Sequence, residues 1–474
     1  MGGSTSLGGA ATGGTSNTGG QPGSGGVAGT TIISATGGSG LSASGGRTTG
    51  GSVPGSGGAT GGTIGSGGVT TGTGGRATGG DGIPTGGSPT GGSRSPTGGN
   101  TSPTGGSGPW DASTNDVPLV PDATSGGPEP FISGKAPVAA AHFKRGINLG
   151  NRLEAPKEGD WGGTVLASDF PFIAKRGFDH VRIPIRFSGH AQASAPYTID
   201  ATFFARIDTV IDQALAAKLA VLVDMHAYDE MASNPSGERA RFLGLWSQIA
   251  SRYKDRPDTV AFELLNEPNT QLDSQWNDIA AAAITTVRAT NPRRLLVVDT
   301  VFWADPTKLT QLVLPTDANL LVAIHLYEPK LFSFQGKSWM GPEYMTTGVI
   351  FPGPPATPVT PVAPASAASW AKQWFDGYNT QPAATNPSGP ATVTAQVAYL
   401  TSYMKSQGRA VYNGEWGPQD GGSMDSRVRL VTEVRKQCEQ AGIGWAIWED
   451  TTNLKLFDSA AGTWVSQIVD ALFP

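Results

Sequence analysis

The sequence predicts an α/β protein, a TIM (β/α)8 barrel, preceded by a long Gly/Ser/Thr-rich N-terminal tail. Two features support this prediction. From Phe131 onward, eight short apolar segments alternate with amphipathic stretches of helical length, which is typical of parallel strands joined by crossover helices. Before Pro109, the chain is mostly Gly, Ser, Thr and Ala. The remaining part, roughly 340 residues, is long enough for one large barrel.

The predicted strands are short, and most are near-continuous runs of Val, Ile and Leu, as expected of parallel strands covered on both faces. In chain order they are Phe143–Gly150, His180–Ile185, Ala220–His226, Val260–Glu267, Arg294–Thr300, Leu320–Tyr327, Arg409–Trp416 and Gly444–Asp450. Helices are predicted in the gaps, for example Ala201–Ala217, Glu238–Tyr253 and Asp425–Ala441. One connection, Glu328–Ala391, is long and proline-rich, and such loops usually form lids or binding loops.

The N-terminal tail, residues 1–128, is predicted to be disordered, and residues 129–474 are predicted to form the barrel domain. The segment before Pro109 contains 42 of the 68 glycines and too few apolar side chains to offset the entropy of ordering it. The tetrapeptide Pro-Thr-Gly-Gly begins at Pro84, Pro89, Pro96 and Pro103. The tail is either a spacer that holds the domain away from a surface or another module, or an extension without separate activity.

The charge balance disfavours several classes of partner. Outside the segment before Pro109, the chain carries 30 basic and 37 acidic side chains, a net charge of −7, which argues against nucleic acid and anionic membrane surfaces. A neutral polysaccharide suits this balance, and we expect a monomer. No apolar run is long enough to span a bilayer. We expect a secreted or cell-surface protein. Its export signal is not visible in this chain, because Met1–Ser4 lack the basic and apolar regions of a signal peptide.

The predicted strands finish in polar and ionisable side chains, which therefore collect at one end of the barrel. The residues concerned are Asn148, Arg182, His226, Asn266, Glu267, His325, Tyr327, Glu415 and Trp448. This end is the C-terminal face, where TIM-barrel enzymes have their active sites. Glu267 and Glu415 come from strands four and seven, on opposite sides of the barrel. Retaining glycosidases need two such carboxyl groups about 5–5.5 Å apart, and Arg182 and Tyr327 are expected to keep Glu415 ionised.

These residues resemble glycoside hydrolase family 5, the cellulase family of clan A. The segment Phe262–Pro268 is similar to the Asn-Glu-Pro motif of that family, and the opening Arg145–Gly150 is also family-like. The resemblance covers residues 140–474. It implies that Glu267 is the acid/base and Glu415 the nucleophile. It further implies supporting roles for Arg182, His226, His325 and Tyr327, a hydrogen bond from Asn266 to the sugar 2-hydroxyl, and stacking of Trp448 on the sugar.

Two departures from the family pattern concern the substrate. Similar proteins often have a second histidine where this chain has Ala227, and a histidine where Phe334 stands. The expected substrate is a β-1,4-glucan of cellulose type, cleaved internally. A β-mannanase, a xyloglucanase and a β-1,3-glucanase remain alternatives, as does a non-catalytic carbohydrate-binding surface protein.

No cofactor and no metal are expected. His226 and His325 have imidazoles that zinc can bind, but no third ligand accompanies them at a familiar spacing. Cys438, the single cysteine, follows Val434 at helical spacing and is expected to be buried. Four tryptophans, each able to stack on a sugar ring or to pack in the core, are Trp161, Trp303, Trp339 and Trp416.

Deletion of residues 1–128 should leave the melting temperature and the kinetics on soluble substrates nearly unchanged. The tail has no apolar periodicity and so contributes no buried surface to the barrel. Thermal denaturation of the full chain and of the truncated chain tests this. A fall of more than a few degrees would mean that the tail packs on the domain.

Overall fold

The structure, a computed structural model, describes residues 138–449, 454–458 and 462–474. Its centre is a closed barrel of eight parallel strands in sequence order, each bonded to the next and the last to the first. The predicted TIM barrel is therefore confirmed. The predicted tail and the domain boundary at residue 129 lie outside the described residues. The barrel strands are β1 Arg145–Asn148, β2 His180–Ile185, β3 Ala220–Met225, β4 Val260–Glu263, β5 Leu296–Asp299, β6 Leu320–Leu326, β7 Val411–Trp416 and β8 Gly444–Ile447.

Helices follow the strands and cover the outside of the barrel. They are α1 Asp169–Arg176, α2 Ala201–Ala216, α3 Asp229–Ser233, α4 Pro235–Tyr253, α5 Trp276–Arg288, α6 Val301–Ala304, α7 Lys330–Ser333, α8 Ala363–Ala367, α9 Ser369–Thr380, α10 Pro390–Gln407, α11 Met424–Gln440 and α12 Ser466–Leu472. Short 3-10 helices occupy Val138–His142, Ser188–His190, Pro306–Gln311, Ser338–Met340 and Pro342–Met345. A small antiparallel pair is formed by β9 Phe457–Asp458 and β10 Thr463–Trp464. In the part of the chain that the structure describes, none of these helices has the length and apolar character needed to cross a membrane.

Local sequence accounts for the helix boundaries. Asp200 caps α2, because its side chain accepts a hydrogen bond from the Phe203 N–H at 2.8 Å. Asn234 accepts from the Gly237 N–H at the start of α4, where Pro235 occupies the first position. Such caps satisfy amide groups that have no partner within the helix. The apolar faces of these helices pack against the outer face of the barrel.

The inner face of the barrel has an apolar layer below a charged layer. Side chains two positions apart point to the same side of a strand, so Leu222 and Asp224 of β3 both point inward, as do Ala261 and Glu263 of β4. The lower residues belong to a compact apolar cluster inside the barrel. The upper residues, Asp224, Glu263 and Asp299, are fully buried carboxyl groups. The strand period thus brings acidic groups directly beneath the C-terminal face.

A β-bulge turns Glu415 toward this interior. Between Ile324 and His325 the pairing of β6 with β7 shifts by one residue, so that Ile324 pairs with Asn413 and His325 with Glu415. Gly414 is the extra residue, and it moves Glu415 onto the inward side of β7. A β-carbon at Gly414 would lie 3.2 Å from His325 Nε2, so glycine also provides room for the histidine.

The long connection after β6, for which the sequence predicts a lid or binding loop, contains regular structure. It contains α7, α8 and α9. Prolines occupy the first turns of two helices, Pro364 in α8 and Pro390 in α10, where the missing N–H is not needed. Phe332 and Phe351 of this segment are buried and contact each other, with ring centroids 5.9 Å apart. The segment therefore forms part of the packed domain.

Candidate active site

Arg182 lies at the centre of the charged layer and is fully buried. It is the third residue of β2, whose bounds agree with the predicted strand. Its guanidinium donates to Glu263 through two nitrogens, at 2.8 and 2.9 Å. It also donates to Glu415 Oε1 at 2.8 Å and lies 3.0 Å from Asp224. One cation thus holds three carboxyl groups together, including one of the two predicted catalytic glutamates.

Two asparagines complete the contacts of Arg182. Asn148 Oδ1 accepts at 2.9 Å, and Asn266 Oδ1 accepts at 2.7 Å. Asn266 is half-buried and lies beyond β4 rather than at its end, because that strand stops at Glu263. With its oxygen bonded to Arg182, the amide NH2 group of Asn266 is left as a donor for a ligand.

Glu415 is held as a carboxylate. Its Oε1 accepts from Arg182, and its Oε2 accepts from the Tyr327 hydroxyl at 3.0 Å. Burial raises the pKa of Glu415, but the charges of His325, Arg182 and His226 and the bond from Tyr327 outweigh burial and lower it below its ordinary value. The residue can therefore remain an anion although only 7% of its side-chain surface is accessible.

Glu267 lies on the other side of the site and is more exposed, with 30% of its side-chain surface accessible. His325 Nδ1 is 2.7 Å from Glu267 Oε1 and 3.6 Å from Glu415 Oε2. A carboxylate oxygen of each glutamate and a ring nitrogen of His325 all lie within 4.8 Å of one another. The two glutamates predicted from separate strands are thus brought together around one histidine.

The backbone at Glu267 is strained, and Asp299 supports it. Glu267 has φ of +48°, in the left-handed region that costs a residue with a β-carbon about 1–2 kcal/mol. Its N–H donates to Asp299 Oδ2 at 2.9 Å. Burial, the charge of Glu263 and a hydrogen bond with Glu263 raise the pKa of Asp299 well above its ordinary value. The buried acid thereby connects the Arg182 cluster to the Glu267 loop.

Sequence reasoning missed Asp224, Glu263 and Asp299. Each is an acidic residue at the last inward position of an otherwise apolar strand, and this was the available signal. Asp224 has a further role, because its Oδ2 lies 2.6 Å from His226 Nδ1. Burial lowers the pKa of His226, but the charge and the hydrogen bond of Asp224 raise it to about 9.

His226 and Trp448 form one wall of the cleft. Their rings stack with centroids 5.8 Å apart and an interplanar angle of 17°. Trp448 follows β8 directly, as predicted, and it contacts the end of β1, because a β-carbon at Gly150 would lie 2.8 Å from the indole. The indole face is therefore fixed beside the glutamates.

A cleft of about 580 Å³ opens above these residues. Phe302 and Trp303 line it, and they belong to a stretch in which residues 302–304 all have left-handed backbone, with φ between 54° and 61°. The Trp303 N–H donates to Pro268 O at 2.9 Å, which ties this stretch to the residue after Glu267. Six further aromatic and polar residues of the cleft are Lys330, Phe334, Trp339, Tyr344, Trp370 and Gln419.

The four tryptophans singled out in the sequence, together with the aromatic residues of the connection after β6, divide into two groups. Phe334, Tyr344, Trp303 and Trp339 line the cleft. The others do not: Phe332, Phe351 and Trp416 are buried in the core, and Trp161 is exposed outside the cleft. Size and hydrophobicity favoured all of them equally, since sequence alone does not indicate which face of a loop points to the cleft.

Two groups of side chains have atoms spaced closely enough to hold a cation, among the residues described. They are Glu267, His325 and Glu415, and Glu263, Asp299 and His325. Arg182 already contacts Glu263 and Glu415, and its charge disfavours a second cation there. The expectation of no metal stays a prediction.

A second cavity, of about 540 Å³, lies at the opposite end of the barrel near Lys144, Arg145 and Asp179. Arg145 is paired there with Glu439 at 2.7 Å. The carboxyl pair, the buried cation and the aromatic walls all belong to the other cleft, which is the candidate active site.

Comparison with known proteins agrees with this geometry. Residues 145–453 match the family model described as Cellulase (glycosyl hydrolase family 5). Endoglucanase H of Acetivibrio thermocellus is 26% identical over 337 residues, 69% of this chain but 32% of that protein. Endoglucanase B of Clostridium cellulovorans is 26% identical over 65% of this chain and 66% of its own length. The chain therefore spans only part of these relatives.

Solved structures resemble the barrel domain over nearly their whole length. A structure described as an endoglucanase is 30% identical with a TM-score of 0.62, over 70% of this chain and 98% of that one. Thermotoga maritima Cel5A in complex with cellobiose is 32% identical with a TM-score of 0.61, over 73% and 100%. The same enzyme in complex with mannotriose is 31% identical, with a TM-score of 0.61 and the same coverage of each chain.

Proposed function

The chain belongs to the cellulase family, glycosyl hydrolase family 5, and from this premise we propose that it is a retaining, endo-acting β-glycanase that hydrolyses β-1,4-glucan. The observation that carries the proposal is the pair Glu267 and Glu415, with carboxylate oxygens within 4.8 Å of each other. This spacing favours double displacement, because inverting enzymes need about 6.5–9.5 Å to admit a water molecule.

In the first step, Glu415 attacks the anomeric carbon while Glu267 donates a proton to the leaving oxygen. The glycosidic bond breaks and a glycosyl ester forms on Glu415 with inverted configuration. Arg182 and Tyr327 each donate to the Glu415 carboxylate, which keeps it ionised and fixes its orientation before attack.

In the second step, Glu267 removes a proton from water, and the water oxygen attacks the anomeric carbon. Glu415 leaves as a carboxylate, and the second inversion restores the β configuration. His325 contacts both glutamates, so it can hold the two carboxyl groups in position through both steps. Asn266, whose NH2 group is left to donate, suits the 2-hydroxyl of the bound sugar.

Cellulose-type glucan is the proposed substrate because several relatives are endoglucanases by name. A mannan is the second candidate, since one similar structure is described with mannotriose. A reducing-sugar assay of residues 131–474 on β-glucans, xyloglucan, mannan and xylan discriminates between these polymers. Absence of activity on all of them would favour a non-catalytic carbohydrate-binding protein. Secretion or a cell-surface location, and the monomeric state, stay predictions.

Replacement of either glutamate should nearly abolish turnover. Glu267→Gln and Glu415→Gln remove the acid and the nucleophile, so we expect rates at least about a hundredfold lower. Glu433→Gln, on the outer helix α11, is the matched control. Activity above about a tenth of wild type, which is only ~1.4 kcal/mol of barrier, would contradict the role of the residue replaced.

Reaction with azide distinguishes the proposed acid/base, Glu267, from the proposed nucleophile, Glu415. With Glu267→Ala, azide should attack the glycosyl ester and give a β-glycosyl azide, whereas with Glu415→Ala it should displace the leaving group directly and give the α-azide. Proton NMR of the products identifies the anomers. The reverse pairing of variants and anomers would exchange the two assignments.

Wild-type hydrolysis should retain the anomeric configuration. The first product of a β-linked oligosaccharide should be the β-anomer, because two inversions follow one another. Proton NMR during the first minutes, before mutarotation, measures this directly. An initial α-anomer would mean that the close glutamate pair does not act by double displacement.

Trp339 should bind sugar rings distant from the cleavage point. Its side chain is 53% exposed and lines the cleft, and Phe334 supports it edge-on at 5.4 Å. Trp339→Ala should raise KM for long oligosaccharides more than for short ones, because only long chains reach it. Trp161→Ala, a similarly exposed tryptophan outside the cleft, is the control. Equal effects on both lengths would exclude Trp339 from a distal subsite.

A further inference from the structure

We propose that Gln419 is a specificity-determining residue whose side-chain amide hydrogen-bonds hydroxyl groups of the sugar bound beside Glu415. The inference rests on the proposed glycanase function. Gln419 lies on the loop after β7, four residues beyond Glu415, and it lines the cleft.

The loop that carries Gln419 is firmly positioned. The Gln419 N–H donates to Ser333 O at 2.8 Å, which joins the loop to α7. Gly421 packs against the backbone of the neighbouring wall, since a β-carbon there would lie 2.2 Å from Gln335 O. A β-carbon at Gly422 would lie 3.0 Å from the Phe332 ring. The side chain of Gln419 is therefore held in place by its backbone rather than by polar contacts of its own.

The amide of Gln419 has no hydrogen-bond partner among the described residues. The residue is 1% exposed, and its Oε1 is buried without a partner. A buried polar group left unpaired costs about 1–3 kcal/mol, and a leucine of similar size would avoid this cost. A ligand that supplies hydrogen-bond partners for the amide would explain why a glutamine rather than a leucine occupies position 419.

Gln335, on the adjoining wall, shows how this fold treats an amide with a structural role. It is also 1% exposed, but its NH2 group donates to Phe332 O and Val349 O, and its oxygen accepts from the Val349 N–H, all at 3.0 Å. Two equally buried glutamines thus differ in one respect. Gln335, whose amide is fully hydrogen-bonded, lies outside the cleft lining. Gln419, whose amide lacks partners among the described residues, belongs to the cleft lining.

A sugar hydroxyl is the partner that fits the Gln419 amide. An amide offers both donors and an acceptor, which suits hydroxyl groups that can donate and accept at once. Stacking faces such as Trp448 bind many pyranoses alike, whereas a buried polar group rejects a sugar that lacks the matching hydroxyl. Gln419 therefore contributes to the choice between glucan, mannan and xylan.

The test compares Gln419→Leu with the control Gln335→Leu, using cellotetraose, mannotetraose and xylotetraose. For Gln419→Leu we expect an unchanged or higher melting temperature, with kcat/KM on the best substrate lowered roughly tenfold or more and a smaller preference for it. For Gln335→Leu we expect a lower melting temperature, since three backbone groups lose their partners, and an unchanged order of substrates.

Binding measured by calorimetry in the Glu267→Gln background separates this proposal from the proposed function. If the wild type cleaves none of the three sugars, the proposed function fails, and weaker binding after Gln419→Leu still supports the contact. If the wild type is active but Gln419→Leu changes neither kcat/KM nor the substrate order by more than about twofold, Gln419 is not a specificity residue. A large loss of stability in Gln419→Leu would show a packing role and overturn the proposal.

Discussion

The buried guanidinium of Arg182 is the interaction on which the rest of the site depends. It contacts Glu263, Glu415 and Asp224 in the interior of the barrel, where unpaired charges would be costly. Burial lowers the pKa of Arg182, but the three carboxyl groups raise it well above its ordinary value. In return, its charge allows Glu415 to remain ionised. The guanidinium and the carboxylate are each stable in the interior because the other is present.

Backbone geometry then places Glu267 and Glu415 close to each other. The extra residue Gly414 turns Glu415 inward, and the left-handed turn at Glu267 lets the chain leave β4 toward the cleft. Asp299 connects the charged layer to the Glu267 turn, because it accepts from the Glu267 N–H and interacts with Glu263. The charged layer is thus a scaffold for the reacting pair as well as its electrostatic environment.

The barrel and its eight strands were predictable from sequence, because buried parallel strands leave a local pattern. The strand ends and the Asn-Glu-Pro motif also led to nine candidate site residues. The rest depends on tertiary geometry. Local sequence patterns do not reveal the bulge at Gly414 or the burial of Phe332 and Trp416. The proposed role of Gln419 could not be predicted for the same reason, since it rests on the lack of hydrogen-bond partners for its side-chain amide among the described residues.

Trapping the glycosyl ester tests the central claim most directly, that Glu415 is the nucleophile. A cellobioside with fluorine at C2 and a good leaving group forms the ester but slows its hydrolysis, because fluorine disfavours the second transition state. Mass spectrometry of peptides from the inactivated enzyme should find the disaccharide on Glu415. A label on another carboxyl group such as Glu263, or inactivation without any label, would contradict the account.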